Sequence, residues 1–374
     1  TVVSTSGRTP QRTSDREGTG LMRALTIYAG TDALRRIRTR GLNAADVHAV
    51  PAAAGGPKGL ILTRLDQFIF GEWLHDAAHP IHLIGASIGA WRMATACMAD
   101  PVAGFKRLEH DYIRQRFDPP PGRARLSSTE ISACFTNNLQ SIYGDHVETV
   151  LDNPRYHLHF MTSRGRGLLR RDTPWRTPIG YAGAYLFNVA ARRGLGAWLE
   201  RVVFSSHPTL PFGTQDIKTT ACRLTTKNFL PALQASCAIP FVLDAVHDIE
   251  GGPRGAYWDG GITDYHLHLD YQVPVDGVVL YPHFQQAVVP GWLDKALKWR
   301  HGYTDALSQM VVLAPNPEWV KTLPNGKLPD RRDFNHYEND FDGRVSVWQR
   351  AADESQRLAD EWAQWLDSPD PSQV

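Results

Sequence analysis

Apolar positions change period repeatedly along the chain, and the changes divide it into alternating helices and strands. Leu25, Tyr28, Leu34 and Ile37 recur at helical spacing and predict a helix over much of 21–40. The stretch "DVHAVPAAAGG" reads as a short strand, Val47 to Val50, running into a glycine loop. After Lys58, residues Ile61, Leu65, Phe68, Ile69 and Trp73 return to helical spacing. "HPIHLIGASIGAWRMATACMA" predicts a strand from Ile81 to Ile84, a tight turn and a helix of small residues. Helices follow over 104–117 and 128–143, the second opened by a Ser127-x-x-Glu130 capping box. The runs at 156–162, 277–282 and 310–315 read as buried strands. Val345, Trp348, Ala352, Leu358, Trp362 and Trp365 form one stripe of a long C-terminal helix, read as core packing. Strands alternating with helices imply a mostly parallel sheet covered on both faces, a three-layer α/β/α arrangement. In such sheets the active residues gather on loops at the strand ends.

Composition narrows the function. The 374 residues carry 40 basic and 39 acidic side chains, a formal charge of +1, which argues against a dedicated nucleic-acid binder. The four cysteines, Cys97, Cys134, Cys222 and Cys237, form no CxxC pair and read as free thiols of a cytoplasmic protein. No apolar run approaches the roughly 20 residues needed to span a bilayer. Residues 1–20 are rich in Thr, Ser, Arg and Gly, contain Asp15 and Glu17, and read as a mobile tail without a targeting role.

Two glycine-containing turns stand at strand-to-helix junctions. Ser87 is the centre of Gly85-x-Ser87-x-Gly89, the build of a nucleophile elbow, in which flanking glycines let a strained turn lift the hydroxyl above the sheet. A serine nucleophile also needs a proton acceptor and donors for the oxyanion. Gly55 and Gly56 lack a Cβ and can turn their N–H groups toward one point. Pro57 suits the first turn of a helix, and Lys58 is read as ordering the loop. The rival reading is a phosphate loop, but the Walker pattern puts Ser or Thr after its lysine, and here Gly59 follows Lys58. For the base, Asp259 precedes Gly260 and Gly261 on a tight turn. Upstream, the small-residue run 233–246 reads as a helix end packed beneath the site.

These elements, in this order, resemble the patatin-like lipid acyl hydrolases. The signature is a GGx[K/R]G loop, a GxSxG about 30 residues later, and an AS-x-A-x-P stretch before DGG. Here those are Gly55-Gly56-Pro57-Lys58-Gly59, Gly85-Ala86-Ser87-Ile88-Gly89, Ala235-Ser236-Cys237-Ala238-Ile239-Pro240 and Asp259-Gly260-Gly261. The match spans roughly residues 45–285. The resemblance implies a Ser87–Asp259 dyad, an oxyanion hole from the Gly55 and Gly56 amides, an acyl-enzyme intermediate, and no metal or other cofactor. It implies a patatin-like catalytic domain over 21–290, with 291–374 as a helical extension packed on the same domain. The substrate class is a lipid or other acyl ester, with peripheral contact to a membrane in view. The alternative from another class is a non-catalytic lipid-binding or scaffold protein that keeps the fold.

Two departures bear on this. Ala54 stands where the family loop usually has a third glycine, and Ile262-Thr263-Asp264-Tyr265-His266 replaces the asparagine and proline common after DGG. His266, His268 and Asp264 would share one face of a strand, with His283 further on. A metal site and a triad histidine are both open there, against histidines simply hydrogen-bonded in a polar strand. The segment 163–176 carries five arginines and one acid, read as a solvated loop or an anion-holding surface. Residues 179–204 are a candidate lid or acyl-chain wall, or a core insertion.

Overall fold

The apolar runs do become strands, and their pairing explains where the loops collect. The computed structural model describes residues 22–119, 122–123 and 125–374; the tail expected over 1–20 falls outside them. In chain order the strands are β1 (Leu25–Ala29), β2 (Val47–Ala52), β3 (Ile81–Gly85), β4 (Tyr156–Gly165) and β5 (Leu199–Ser205). They continue with β6 (Thr219–Arg223), β7 (Val246–His247), β8 (Ala256–Asp259), β9 (Val278–Pro282) and β10 (Met310–Pro315). The sheet runs β1-β10-β9-β2-β3-β4-β5-β6, with β8 against β4 and β7. From β10 through β4 every pairing is parallel, so the mixed α/β fold has a mostly parallel sheet flanked by helices.

Four expectations about elements change. Residues 25–29 form a strand instead of the first part of a helix, because their backbone pairs antiparallel with β10, Leu25 opposite Pro315. Only from Thr31 to Arg40 does the chain turn helical. The chain after Lys58 first winds as a tight 3₁₀ segment, Gly56–Leu62, before the α-helix Thr63–Gly71. The helix expected over 104–117 is Pro101–Ile113, started by Asp100, whose carboxylate accepts the Ala103 N–H at 2.9 Å. The long C-terminal helix is two, Phe341–Glu354 and Gln356–Asp367, meeting at the buried Ser355. The capping box at Ser127 and Glu130 opens the helix Ser128–Tyr143 as read.

Residues 179–204 divide between the helix Arg176–Ala190, a 3₁₀ segment and the fully buried strand β5. The arginine-rich stretch is partly strand: Ser163 lies in the core, and Arg164 pairs with the buried Glu200 at 2.8 Å. Among the described residues all four cysteines are free, and no helix is long and apolar enough to cross a membrane.

One edge of β4 sets up the site. β5 occupies the other edge along His159–Gly165. On the free edge β3 ends with Gly85 opposite Phe160, and β8 arrives antiparallel with Asp259 opposite Thr162. Two residues along a strand is about 7 Å. The elbow that leaves β3 and the acid that ends β8 are thereby delivered to one spot.

Candidate active site

Ser87 sits in the turn between β3 and the helix Ile88–Ala96, at φ 56 and ψ −127. A non-glycine residue there costs on the order of 1–3 kcal/mol, so its surroundings must hold it. They do. The Ser87 N–H donates to Ser236 Oγ at 3.0 Å. Close approach makes glycine necessary on either side. A Cβ on Gly89 would stand 1.9 Å from the Ala52 carbonyl oxygen, and one on Gly85 2.4 Å from Ala90 Cα. The helix behind the elbow is locked to Thr63–Gly71 by a buried bidentate pair, Arg92 to Asp66 at 2.6 and 2.8 Å.

Asp259 ends β8 and is 6% exposed. Its Oδ1 accepts the Gly261 N–H at 2.7 Å, its N–H donates to the Ala238 carbonyl at 2.9 Å, and its own carbonyl accepts Ser163 Oγ. Gly260 is pressed on the Met161 carbonyl, 2.1 Å from where a Cβ would be. Burial raises the Asp259 pKa, opposed first by the positive charge of Arg331 and then by interaction with the Ser87 hydroxyl. The Ser87 hydroxyl is thus among the groups that act on this carboxyl. The stretch Ser236-Cys237-Ala238 joins them, holding the amide of Ser87 at one end and that of Asp259 at the other.

Gly55 and Gly56 border the same place. Gly56 has φ +57, open to glycine at little cost, and no backbone acceptor takes either N–H among the described residues. Gly59 packs against Ile88 and Arg92, and Gly261 against Ala54. Lys58 lies 5.3 Å from the Phe284 ring centre and lines a cavity instead of serving only its own loop.

Two cavities meet at this point. One, of about 810 Å³, is bordered by Gly56 and Ser87, with an aromatic wall of Trp91, Phe135 and Phe334 and charged side chains, Arg116, Asp118, Glu338 and Arg344 among them, on its other sides. The other, of about 460 Å³, is bordered by Gly55 and Asp259 and carries Lys58, Lys295, Arg331 and Arg332. Arg331 lines both. Its role leaves no mark in the sequence, since it comes from an irregular loop far along the chain. The mouth is rimmed by exposed Phe241, Val242 and Trp292, and Phe241 lies 6.0 Å from Tyr181 of the helix Arg176–Ala190, whose Ile179, Leu186 and Phe187 are exposed. No residue of 179–204 lines either cavity.

The histidines belong elsewhere. Residues 264–270 are turn and irregular chain, not the strand expected, so the shared face does not form. His266 and His283 are fully buried, 3.1 Å apart, with His266 Nδ1 accepting the Val289 N–H. His268 bonds Thr304 Oγ1 and the Val288 carbonyl. Asp264 is taken by Arg201, at 2.6 and 2.8 Å, in a buried pair that gives this residue a structural purpose. None of these histidines lines the cavities, and no metal-holding cluster occurs among the described residues.

No protein-family model matches the chain, and no curated protein does. Among solved structures it is similar to VipD from Legionella pneumophila, at 14% identity, covering 92% of this chain and 70% of that one with a TM-score of 0.36. A TM-score that low marks a distant likeness of overall path and carries nothing about chemistry.

Proposed function

We propose that this chain is a patatin-like serine hydrolase that cleaves carboxylic esters, lipid acyl esters foremost, through Ser87 and Asp259. One observation carries the reading: a strained serine and a buried acid, held by Ser236 and Ala238 two residues apart, stand where two cavities share Arg331.

Asp259 accepts the Ser87 proton as Oγ attacks the ester carbonyl, and its raised pKa makes it a stronger base than a free carboxylate. The N–H groups of Gly55 and Gly56 receive the oxyanion. Collapse breaks the bond to the alcohol oxygen, which takes the proton from Asp259. Water then attacks the acyl-enzyme, giving a proton to Asp259; the acyl C–Oγ bond breaks, Ser87 Oγ takes that proton back, and the free acid leaves. The acyl chain occupies the larger cavity, against Trp91, Phe135 and Phe334. The apolar rim at Phe241, Val242 and Trp292 suits a substrate presented at a lipid surface.

The test is a chain-length series of p-nitrophenyl esters, with phospholipid vesicles alongside, on wild type, Ser87→Ala and Asp259→Asn, together with a fluorophosphonate label. Turnover of at least one ester, lost in both variants, with labelling at Ser87, is the expected result. A folded protein that takes no label and turns over no ester is instead a lipid binder that keeps the fold.

A further inference from the structure

The cavity beside Asp259 holds more positive charge than the protein neutralises. Lys58, Lys295, Arg331 and Arg332 all line it, and none forms an ion pair among the described residues. Its wall has one acid besides Asp259, and that acid, Asp330, is paired with Lys327 at 3.0 Å. Aromatic faces position the two lysines: Lys58 over Phe284, and Lys295 with Nζ 4.2 Å from the Tyr265 ring centre. A π face orients an ammonium group and leaves its N–H donors free. The Arg331 guanidinium crosses beside Gly56, with Nε 2.9 Å from where a Cβ would be, so it borders the reaction centre itself.

We propose that Lys58, Lys295 and Arg331 form an anion subsite that receives a phosphate or carboxylate carried on the alcohol side of the ester. The side follows from the chemistry proposed above, on which this inference rests. The departing alkoxide must collect its proton from Asp259, so the alcohol portion lies in the cavity bordered by Asp259, the one that Lys58 and Lys295 line. The acyl chain lies in the other cavity, along its aromatic wall of Trp91 and Phe135. Partial desolvation, then repulsion from Lys58 and Arg331, draws Lys295 down to about 8, a strain that a bound anion relieves. Lys295 and Arg331 come from beyond residue 290, so the C-terminal part of the chain equips the site for its leaving group. A neutral acylglycerol gains nothing from such a wall.

Two measurements separate this inference from the hydrolase reading. The first is calorimetric binding of inorganic phosphate, glycerol 3-phosphate and succinate to Ser87→Ala, Ser87→Ala/Lys295→Met and Ser87→Ala/Arg331→Met. Saturable binding of at least one of the three anions, weakened tenfold or more by either second substitution, is expected, and it supports the subsite even where no ester is turned over. Preference between phosphates and succinate names the anion. Absence of binding to Ser87→Ala overturns the subsite even where esters are hydrolysed. The second compares kcat/KM for a short-chain acylglycerol phosphate with that for the matching neutral acylglycerol. Wild type favours the charged ester, and Lys295→Met and Arg331→Met each lower that preference tenfold or more, mainly through KM. An equal loss on both esters overturns the proposal, since it marks a general effect on structure or catalysis. Arg331→Lys restores part of the preference, because charge remains while the planar fork is lost.

Discussion

Ser236 Oγ accepts the backbone N–H of Ser87 across 149 residues of sequence, at 3.0 Å and with both side chains buried. Two residues later the Ala238 carbonyl accepts the N–H of Asp259. A short run of residues thus clamps nucleophile and base together.

Removing that clamp is expected to cost activity before it costs the fold. In Ser236→Ala the Ser87 N–H loses its acceptor inside the protein, a penalty of about 1–3 kcal/mol. Chemical denaturation should register that loss, and the rate of fluorophosphonate labelling at Ser87 should fall about tenfold or more. Wild-type labelling in a destabilised protein would mean that the elbow holds its shape without Ser236.

Asp259→Asn should separate stability from function. Burial raises the Asp259 pKa, so the native state binds its proton more tightly than the unfolded chain does. The ionised carboxylate therefore weakens the fold as pH rises from the unfolded value through the folded one. An amide of the same shape keeps an oxygen for the Gly261 N–H and carries no charge. The expected outcome at pH 7 is a melting temperature at or above that of wild type with turnover reduced at least a thousandfold. In the wild type the acid limb of kcat/KM should lie above the ordinary carboxylate range.

Gly89→Ala should not fold. The new Cβ would lie 1.9 Å from a backbone oxygen of β2, where no side-chain motion can relieve the clash. Gly41→Ala meets no atom within 4 Å but must adopt φ 71 with ψ −165, so it should fold at a cost of about 1–3 kcal/mol. Soluble expression and circular dichroism of the two variants give the comparison.

Acid should weaken the protein well above the range of its carboxylates. Burial, followed by repulsion from His157, His207 and His48, lowers His82 to about 4, and burial lowers His283 to about 3; His159 and His266 are depressed as well. Each stays neutral in the fold while its unfolded counterpart takes a proton near 6.5. Their contribution is complete above that value and is lost as pH falls below it. The denaturant midpoint should drop between pH 7 and pH 5, by the equivalent of about 2 kcal/mol for each of these histidines. A flat profile would show that the unfolded histidines are equally depressed.

Periodicity and turn residues made much of the architecture legible in advance. Strand runs such as 278–282 and 310–315 are continuous and apolar because a parallel sheet is covered on both faces, and the Ser127 box announces its helix from within four residues. The glycines around residues 55, 87 and 259 stood out for the same reason, since each answers a local demand for bare backbone. Residues 25–29 misled because their spacing suits a helix, while a partner strand nearly 300 positions away takes their hydrogen bonds. The histidines misled because alternation predicts a face only where a strand forms. Asp66 with Arg92, Ser236 with Ser87, and Arg331 above the glycine loop carry no local signature at all. Such pairings depend on which loops a sheet brings to one edge, and sheet order follows from the packing of the whole chain, a quantity that no window of neighbouring residues contains.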